Sequence, residues 1–83
     1  MDPEYLRQQG KLAINKLELE KLRLRISRLV KSVRDCLDPT EHDPAKIRSD
    51  AAADGAVELD TVRTSYLALL AETQEIEQYL GRR

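Results

Sequence analysis

The 83-residue sequence has few of the residues that build aromatic cores, disulfides or catalytic sites. It contains no Trp or Phe, three Tyr, one Cys, one His, three Gly and three Pro. Any core must therefore be aliphatic, and a single cysteine excludes an internal disulfide. The glycines are isolated at positions 10, 55 and 81, so no glycine-rich loop is present that could bind phosphate.

Long apolar runs are also missing. No segment approaches the roughly 18 consecutive apolar residues that a membrane-spanning helix needs, and the first residues are acidic and lack an apolar signal region. Together with the lone thiol, these absences lead us to expect a cytoplasmic protein that does not bind membranes.

The ionisable residues do not indicate an enzyme. His42 is the only histidine and falls in a predicted loop, which disfavours a nucleophilic triad. Cys36, Asp38, His42 and Asp43 are close in sequence, but their spacing matches no zinc signature. Packing of the thiol in a helical core is the simpler interpretation. We therefore expect no catalytic residue, no metal, no cofactor and no small-molecule substrate.

The residues that are abundant favour helix. Leu, Ala, Glu, Lys and Arg dominate, whereas Val and Ile are scarce. Residues 17–26 also show the alternation of a strand, but the alternation changes phase between Leu19 and Leu22. The residues between them are good helix formers, so we predict an all-α fold.

The prolines mark where the helices begin and end. Each follows an aspartate, at positions 2–3, 38–39 and 43–44, and an Asp cap before Pro is typical of a helix start. We predict a single domain over residues 1–83. Helix 1 spans about 3–37, a loop spans 38–43, and helix 2 spans about 44–80. So short a loop predicts antiparallel helices.

Each predicted helix carries a coiled-coil seam, which is a heptad row of mainly apolar residues. The helix 1 seam consists of Tyr5, Gln8, Leu12, Asn15, Leu19, Leu22, Ile26, Leu29, Val33 and Cys36. The helix 2 seam consists of Gly55, Leu59, Val62, Tyr66, Leu69, Thr73, Ile76 and Leu80, with Ile47, Ala51 and Ala52 extending it upstream. Polar seam residues such as Asn15 usually fix register.

One antiparallel register aligns both seams. The numbers of facing residues sum to 84 or 85, as for Leu19 with Tyr66 and Leu29 with Gly55. Because this pairing continues past Gly55, we predict that Asp54-Gly55 does not break helix 2, although the dipeptide is turn-like.

A second apolar row remains outside this seam. On helix 1 it consists of Leu6, Ala13, Leu17 and Leu24, nearly opposite the seam, and Leu67 is its main counterpart on helix 2. A contiguous apolar patch usually marks an interface, and a small domain gains stability by association. We expect a scaffold, adaptor or small chaperone-like subunit that binds itself or another helical protein. The simplest assembly is a dimeric four-helix bundle.

The charge distribution suggests an alternative function. Residues 1–37 contain nine Lys/Arg and five Asp/Glu, whereas residues 38–83 contain five and ten. Lys21, Arg25 and Arg28 form a basic row on helix 1, which is the pattern of a nucleic-acid-binding accessory protein. No aromatic residues interleave with this row, and helix 2 is acidic. Pairing with helix 2 or simple solvation is therefore the plainer interpretation.

Overall fold

The structure is a computed structural model that describes residues 2–81. Two long helices, α1 (Pro3–Cys36) and α2 (Ser49–Gly81), pack against each other along their length, and a 3₁₀ turn (Pro44–Lys46) lies between them. No strand occurs in the described residues, and the hairpin measures 66 × 15 × 14 Å. The predicted all-helical hairpin is confirmed. Neither helix contains an 18-residue stretch apolar enough to cross a membrane.

The ends of α1 follow from local capping. Asp2 is extended, and its carboxylate accepts a hydrogen bond from the Glu4 amide at 3.0 Å, with Pro3 at the first helical position. At the other end, the Leu37 amide donates to the Val33 and Arg34 carbonyls, and Leu37 itself leaves helical geometry. The helix therefore ends at Cys36, one residue before the predicted end.

The start of α2 differs from the prediction. Asp43 does cap Pro44, because its carboxylate accepts from the Ala45 amide at 3.0 Å, but only the three-residue 3₁₀ turn follows. Ile47 is extended, with φ −74° and ψ 122°, and the Arg48 amide donates to the Cys36 carbonyl at 3.2 Å. That bond ties the connection to the end of α1, and the long helix begins only at Ser49.

The burial pattern confirms both predicted seams. Every predicted member of the α1 seam and the α2 seam is buried or half-buried, and the most completely buried are Asn15, Cys36, Ala52, Val62, Thr73 and Ile76. The upstream extension is only partly right. Ala52 is buried, but Ile47 and Ala51 are exposed. Ile47 precedes α2, and Ala51 lies about 100° around α2 from Ala52, outside the seam.

The antiparallel register lies within about four residues of the predicted sums of 84 and 85, because the ion pairs between the helices sum to 83 and the Val33–Gly55 contact in the seam sums to 88. Lys11 pairs with Glu72 at 2.7 Å, and Arg25 pairs with Glu58 at 2.8 Å. The residue numbers of each pair sum to 83. Because the two ion pairs are 14 residues apart on each helix, the helices must be antiparallel and stay aligned between them.

Gly55 lies inside an uninterrupted α2, so the predicted absence of a break is confirmed. A Cβ atom at this position would lie 2.9 Å from Val33 Cγ2. The missing side chain therefore permits close approach of the helices. Its close neighbour is Val33, rather than the Leu29 that the sequence register placed opposite Gly55.

Two buried polar residues, Asn15 and Thr73, lie in the seam in the half of the hairpin away from the loop. Thr73 is satisfied within its own helix, because its hydroxyl donates to the Leu69 carbonyl at 2.7 Å. Asn15 is 7% exposed, and its amide nitrogen has no hydrogen-bond partner among residues 2–81. A buried amide without a hydrogen-bond partner lowers the stability of the fold. Polar seam residues that fix the register, as Asn15 is predicted to do, usually lower stability in this way.

Candidate partner interface

The two broad sides of the hairpin differ in their polar contacts. Lys11 and Arg25 are 14 residues apart, about four helical turns, and so lie on the same side of α1. Their partners Glu72 and Glu58 have the same spacing on α2. We call the side that carries these two ion pairs the bridged face. The other broad side has no ion pair between the helices within residues 2–81, and we call it the open face.

The members of the open face follow from helical geometry. A residue two or five positions from one of the ion-pairing residues lies about 140–160° around its helix, because each residue advances the helix by about 100°. The apolar residues that meet this condition are Leu6, Ala13, Val30, Ala53, Ala56, Leu67 and Leu70. The charged residues that share the face with them are Lys16, Glu20, Arg23, Asp60, Arg63 and Glu77.

All five predicted interface residues are exposed, and the four leucines among them are between 43% and 60% exposed. The structure divides them into two groups. Leu6, Ala13 and Leu67 lie on the open face. Leu17 and Leu24 lie at the outer edge of α1, about 40° beyond Ala13 around the helix. Together they form one surface that runs from the open face over the edge of α1.

Some apolar members of this surface were missed by the sequence reasoning. Val30 and Leu37 are 39% and 49% exposed, and with Pro39 they line a shallow groove at the loop end of α1. Val30 lies five residues after Arg25, so the angular rule above places it on the open face. Leu37 is the residue at which α1 ends, and it is exposed there.

Charged side chains at the helix–helix contact are held in place electrostatically. Lys11 lowers the pKa of the Glu72 carboxyl. Asn15 makes a smaller contribution in the same direction, although its amide nitrogen forms no hydrogen bond of normal geometry. On the open face, Arg23 donates to the Tyr66 hydroxyl at 3.3 Å, and this contact raises the pKa of the guanidinium. Arg23 is therefore positioned above the seam.

The predicted basic row lies on the bridged face. Lys21 and Arg28 are exposed, and neither forms an ion pair with any residue in the described range. Arg25 is engaged by Glu58 of α2, so one of the three proposed phosphate contacts already has an acidic partner. The structure thus separates the two candidate binding surfaces onto opposite sides of the hairpin.

The loop residues weighed as metal ligands have other roles. Cys36 is buried in the seam. The Asp38 carboxylate accepts bonds from the Thr40 amide and hydroxyl, which lower the pKa of Asp38. Within residues 2–81, no three His, Cys, Asp or Glu side chains come together as a metal site.

Comparisons with protein-family models, with curated proteins and with solved structures gave no match to this chain. The candidate function therefore depends on the surfaces described above.

Proposed function

We propose that this protein is a non-enzymatic assembly module that binds a second copy of itself or another helical protein through the open face and the outer edge of α1. The observation that carries the proposal is that Leu6, Leu17, Leu24 and Leu67 are all exposed, on the open face and on the adjoining outer edge of α1. Large leucines at helical spacing are the usual anchors of helix-to-helix recognition. A scaffold, adaptor or small chaperone-like subunit would act in this way.

The small size of the core supports association. Among residues 2–81 the buried apolar residues are only Cys36, Ala52, Val62 and Ile76, and a two-helix hairpin has one seam and no second layer. Covering the open face would also cover half-buried seam residues beneath it, so that association would add to the same hydrophobic core.

Sedimentation equilibrium over a concentration series tests the proposal. We expect the wild-type chain to associate at tens of micromolar and the Leu6→Glu/Leu67→Glu variant to shift toward monomer, because two carboxylates would be buried without partners. The matched control is Ile14→Glu/Ala68→Glu, which places the same charges on exposed positions beside the bridged face. A wild-type monomer that captures no helical partner, or equal effects of both variants, would contradict the proposal.

Nucleic-acid binding through Lys21, Arg25 and Arg28 is the second candidate function. It is favoured because, among residues 2–81, neither Lys21 nor Arg28 has an acidic partner. An electrophoretic shift series with duplex and single-stranded DNA and RNA at low and moderate salt tests it, because phosphate contacts give a steep salt dependence. A Lys21→Gln/Arg28→Gln variant that binds as well as wild type would eliminate this candidate.

A further inference from the structure

We infer that the outer side of α1 binds an acidic amphipathic helix of another protein. This inference rests on the proposed function and names the part of the surface that binds and the chemistry of the partner. The surface consists of an exposed apolar row along α1 and of basic residues on both sides of that row.

The exposed side of α1 carries a second heptad row besides the seam. Its members follow one another at alternating spacings of four and three residues, which is the spacing of a coiled-coil seam. All of them are exposed, and the three leucines among them are between 49% and 60% exposed. We call this the outer row, and it consists of Leu6, Gly10, Ala13, Leu17, Glu20 and Leu24. A helix with two such rows can pack against one helix on each side, and α2 leaves the outer row uncovered.

The outer row has the length of a helical binding site. Leu6 and Leu24 are 18 residues apart, which corresponds to five turns and about 27 Å of helix. Ile14 is 69% exposed and lies three residues before Leu17, so it widens the apolar surface. Large apolar residues at helical spacing are the anchors by which one helix recognises another.

The charges beside the outer row select an acidic partner. Five basic residues each lie three or four positions from a member of the row and therefore neighbour it on the helix surface. They are Lys16 and Arg23 on one side, and Arg7, Lys21 and Arg28 on the other. Over residues 6–28, the same spacing rule includes one acidic residue, Glu20 itself. The apolar row is thus flanked on both sides by positive charge.

Most of this positive charge is available to a partner. Within residues 2–81, Lys16, Lys21 and Arg28 form no ion pair. Arg23 donates to the neutral Tyr66 hydroxyl, and only Arg7 pairs with a carboxylate. Carboxylates that flank the apolar row of a partner helix would pair with these residues, as charged residues beside a coiled-coil seam do.

A second copy of the chain fits this surface less well. Placing α1 of a second copy on the outer row would bring the flanking basic residues of both copies together, and like charges oppose binding. The second copy's α2 is acidic, but its outer edge carries Val57, Thr64, Ala71 and Gln78 at seven-residue spacing. That edge has one large apolar residue and no leucine. The partner that fits is therefore a separate helix that combines leucines with flanking carboxylates.

Two fluorescein-labelled peptides of three heptads each test the inference by fluorescence anisotropy. Both have Leu at the first and fourth positions of every heptad. The flanking positions are Glu in one peptide and Lys in the other, so that like charges keep each peptide from pairing with itself. We expect the wild-type chain to bind the Glu peptide about tenfold or more tightly than the Lys peptide, and this preference should fall as salt is added.

Three variants identify the surface that binds. Leu17→Gln/Leu24→Gln removes two anchors without changing the charge, and it should weaken binding of the Glu peptide about tenfold or more. The matched control Val57→Gln/Ala71→Gln alters the outer edge of α2 and should leave binding unchanged. Lys16→Glu/Lys21→Glu cancels the net positive charge of the outer surface, so it should remove most of the preference for the Glu peptide. Circular dichroism checks that each variant remains helical.

The outcomes separate this inference from the proposed function. Equal affinities for the two peptides, or binding of neither, would overturn the inference, whereas self-association in sedimentation would leave the proposed function standing. Binding of the Glu peptide that survives Leu17→Gln/Leu24→Gln would show a general anion-binding surface, as for nucleic acid, and would overturn the inference as well. A chain that sediments as a monomer but binds the Glu peptide through Leu17 and Leu24 would support it.

Discussion

The two interior glycines allow one substitution to be tested in two opposite environments. Gly10 lies inside α1, and Gly55 lies inside α2. A methyl group added at Gly10 meets nothing within 4 Å, whereas one added at Gly55 meets Val33 Cγ2 at 2.9 Å. We expect Gly10→Ala to stabilise the hairpin and Gly55→Ala to be neutral or destabilising.

The magnitudes follow from two opposing effects. Ala in place of Gly in a helix interior stabilises by about 0.8–1 kcal/mol, and this gain applies at both sites. At Gly55 the carbon atoms would have to separate toward an ordinary contact of about 3.5–4 Å. Val33 is β-branched and stiff about χ1, so the helices themselves must move apart, at a cost of about 1–3 kcal/mol. The free energies of unfolding of the two variants should therefore differ by roughly 1–3 kcal/mol.

Urea unfolding followed by circular dichroism measures this difference, with all variants at one protein concentration because association adds to the apparent stability. The Gly55→Ala/Val33→Ala double variant is the control. Removing Cγ2 should abolish the clash, and the two substitutions should show a coupling energy well above the additive expectation. The reasoning would be refuted if Gly55→Ala stabilised the protein as much as Gly10→Ala does.

Two further predictions concern polar groups at the helix–helix contact. Asn15→Leu should raise the free energy of unfolding by about 1–3 kcal/mol, since it removes a buried unpaired amide; a less stable variant in urea unfolding would show that the amide has a partner. Because the folded-state pKa of Glu72 is lowered by Lys11, its contribution is complete above the unfolded pKa of about 4.3 and is lost as pH falls through the folded value. Wild type should therefore lose stability more steeply below pH 5 than Lys11→Met does, and parallel profiles from thermal melts between pH 2 and 7 would contradict the pairing.

The seams show which features of the fold the spacing of apolar residues can predict. Leu19, Leu22 and Ile26 were assigned to the helix contact from heptad spacing alone, and all three are half-buried there. The spacing works because, in a two-helix hairpin, a residue's burial depends almost entirely on its angle around its own helix. The same arithmetic located Leu6, Ala13, Leu17, Leu24 and Leu67 outside the contact, and all of them are exposed.

The connection shows where periodicity fails. Asp43-Pro44 has the sequence of a helix start, but the local cap produces a single 3₁₀ turn, and α2 begins at Ser49. A capping residue satisfies the free amides of the first turn, but it does not determine how long the helix will be. The length of the helix that follows depends on where the chain must cross to bring Ala52 into the seam.

The sequence by itself determined the helical hairpin, its antiparallel direction and its register to within about four residues, because these depend on local propensity and on the spacing of apolar residues along each helix. Only the tertiary structure decided which broad side carries the Lys11–Glu72 and Arg25–Glu58 ion pairs and which side remains open. It also showed that Val33 packs against Gly55. These features depend on how the two helices are rotated and spaced relative to each other, and heptad spacing leaves that freedom unresolved.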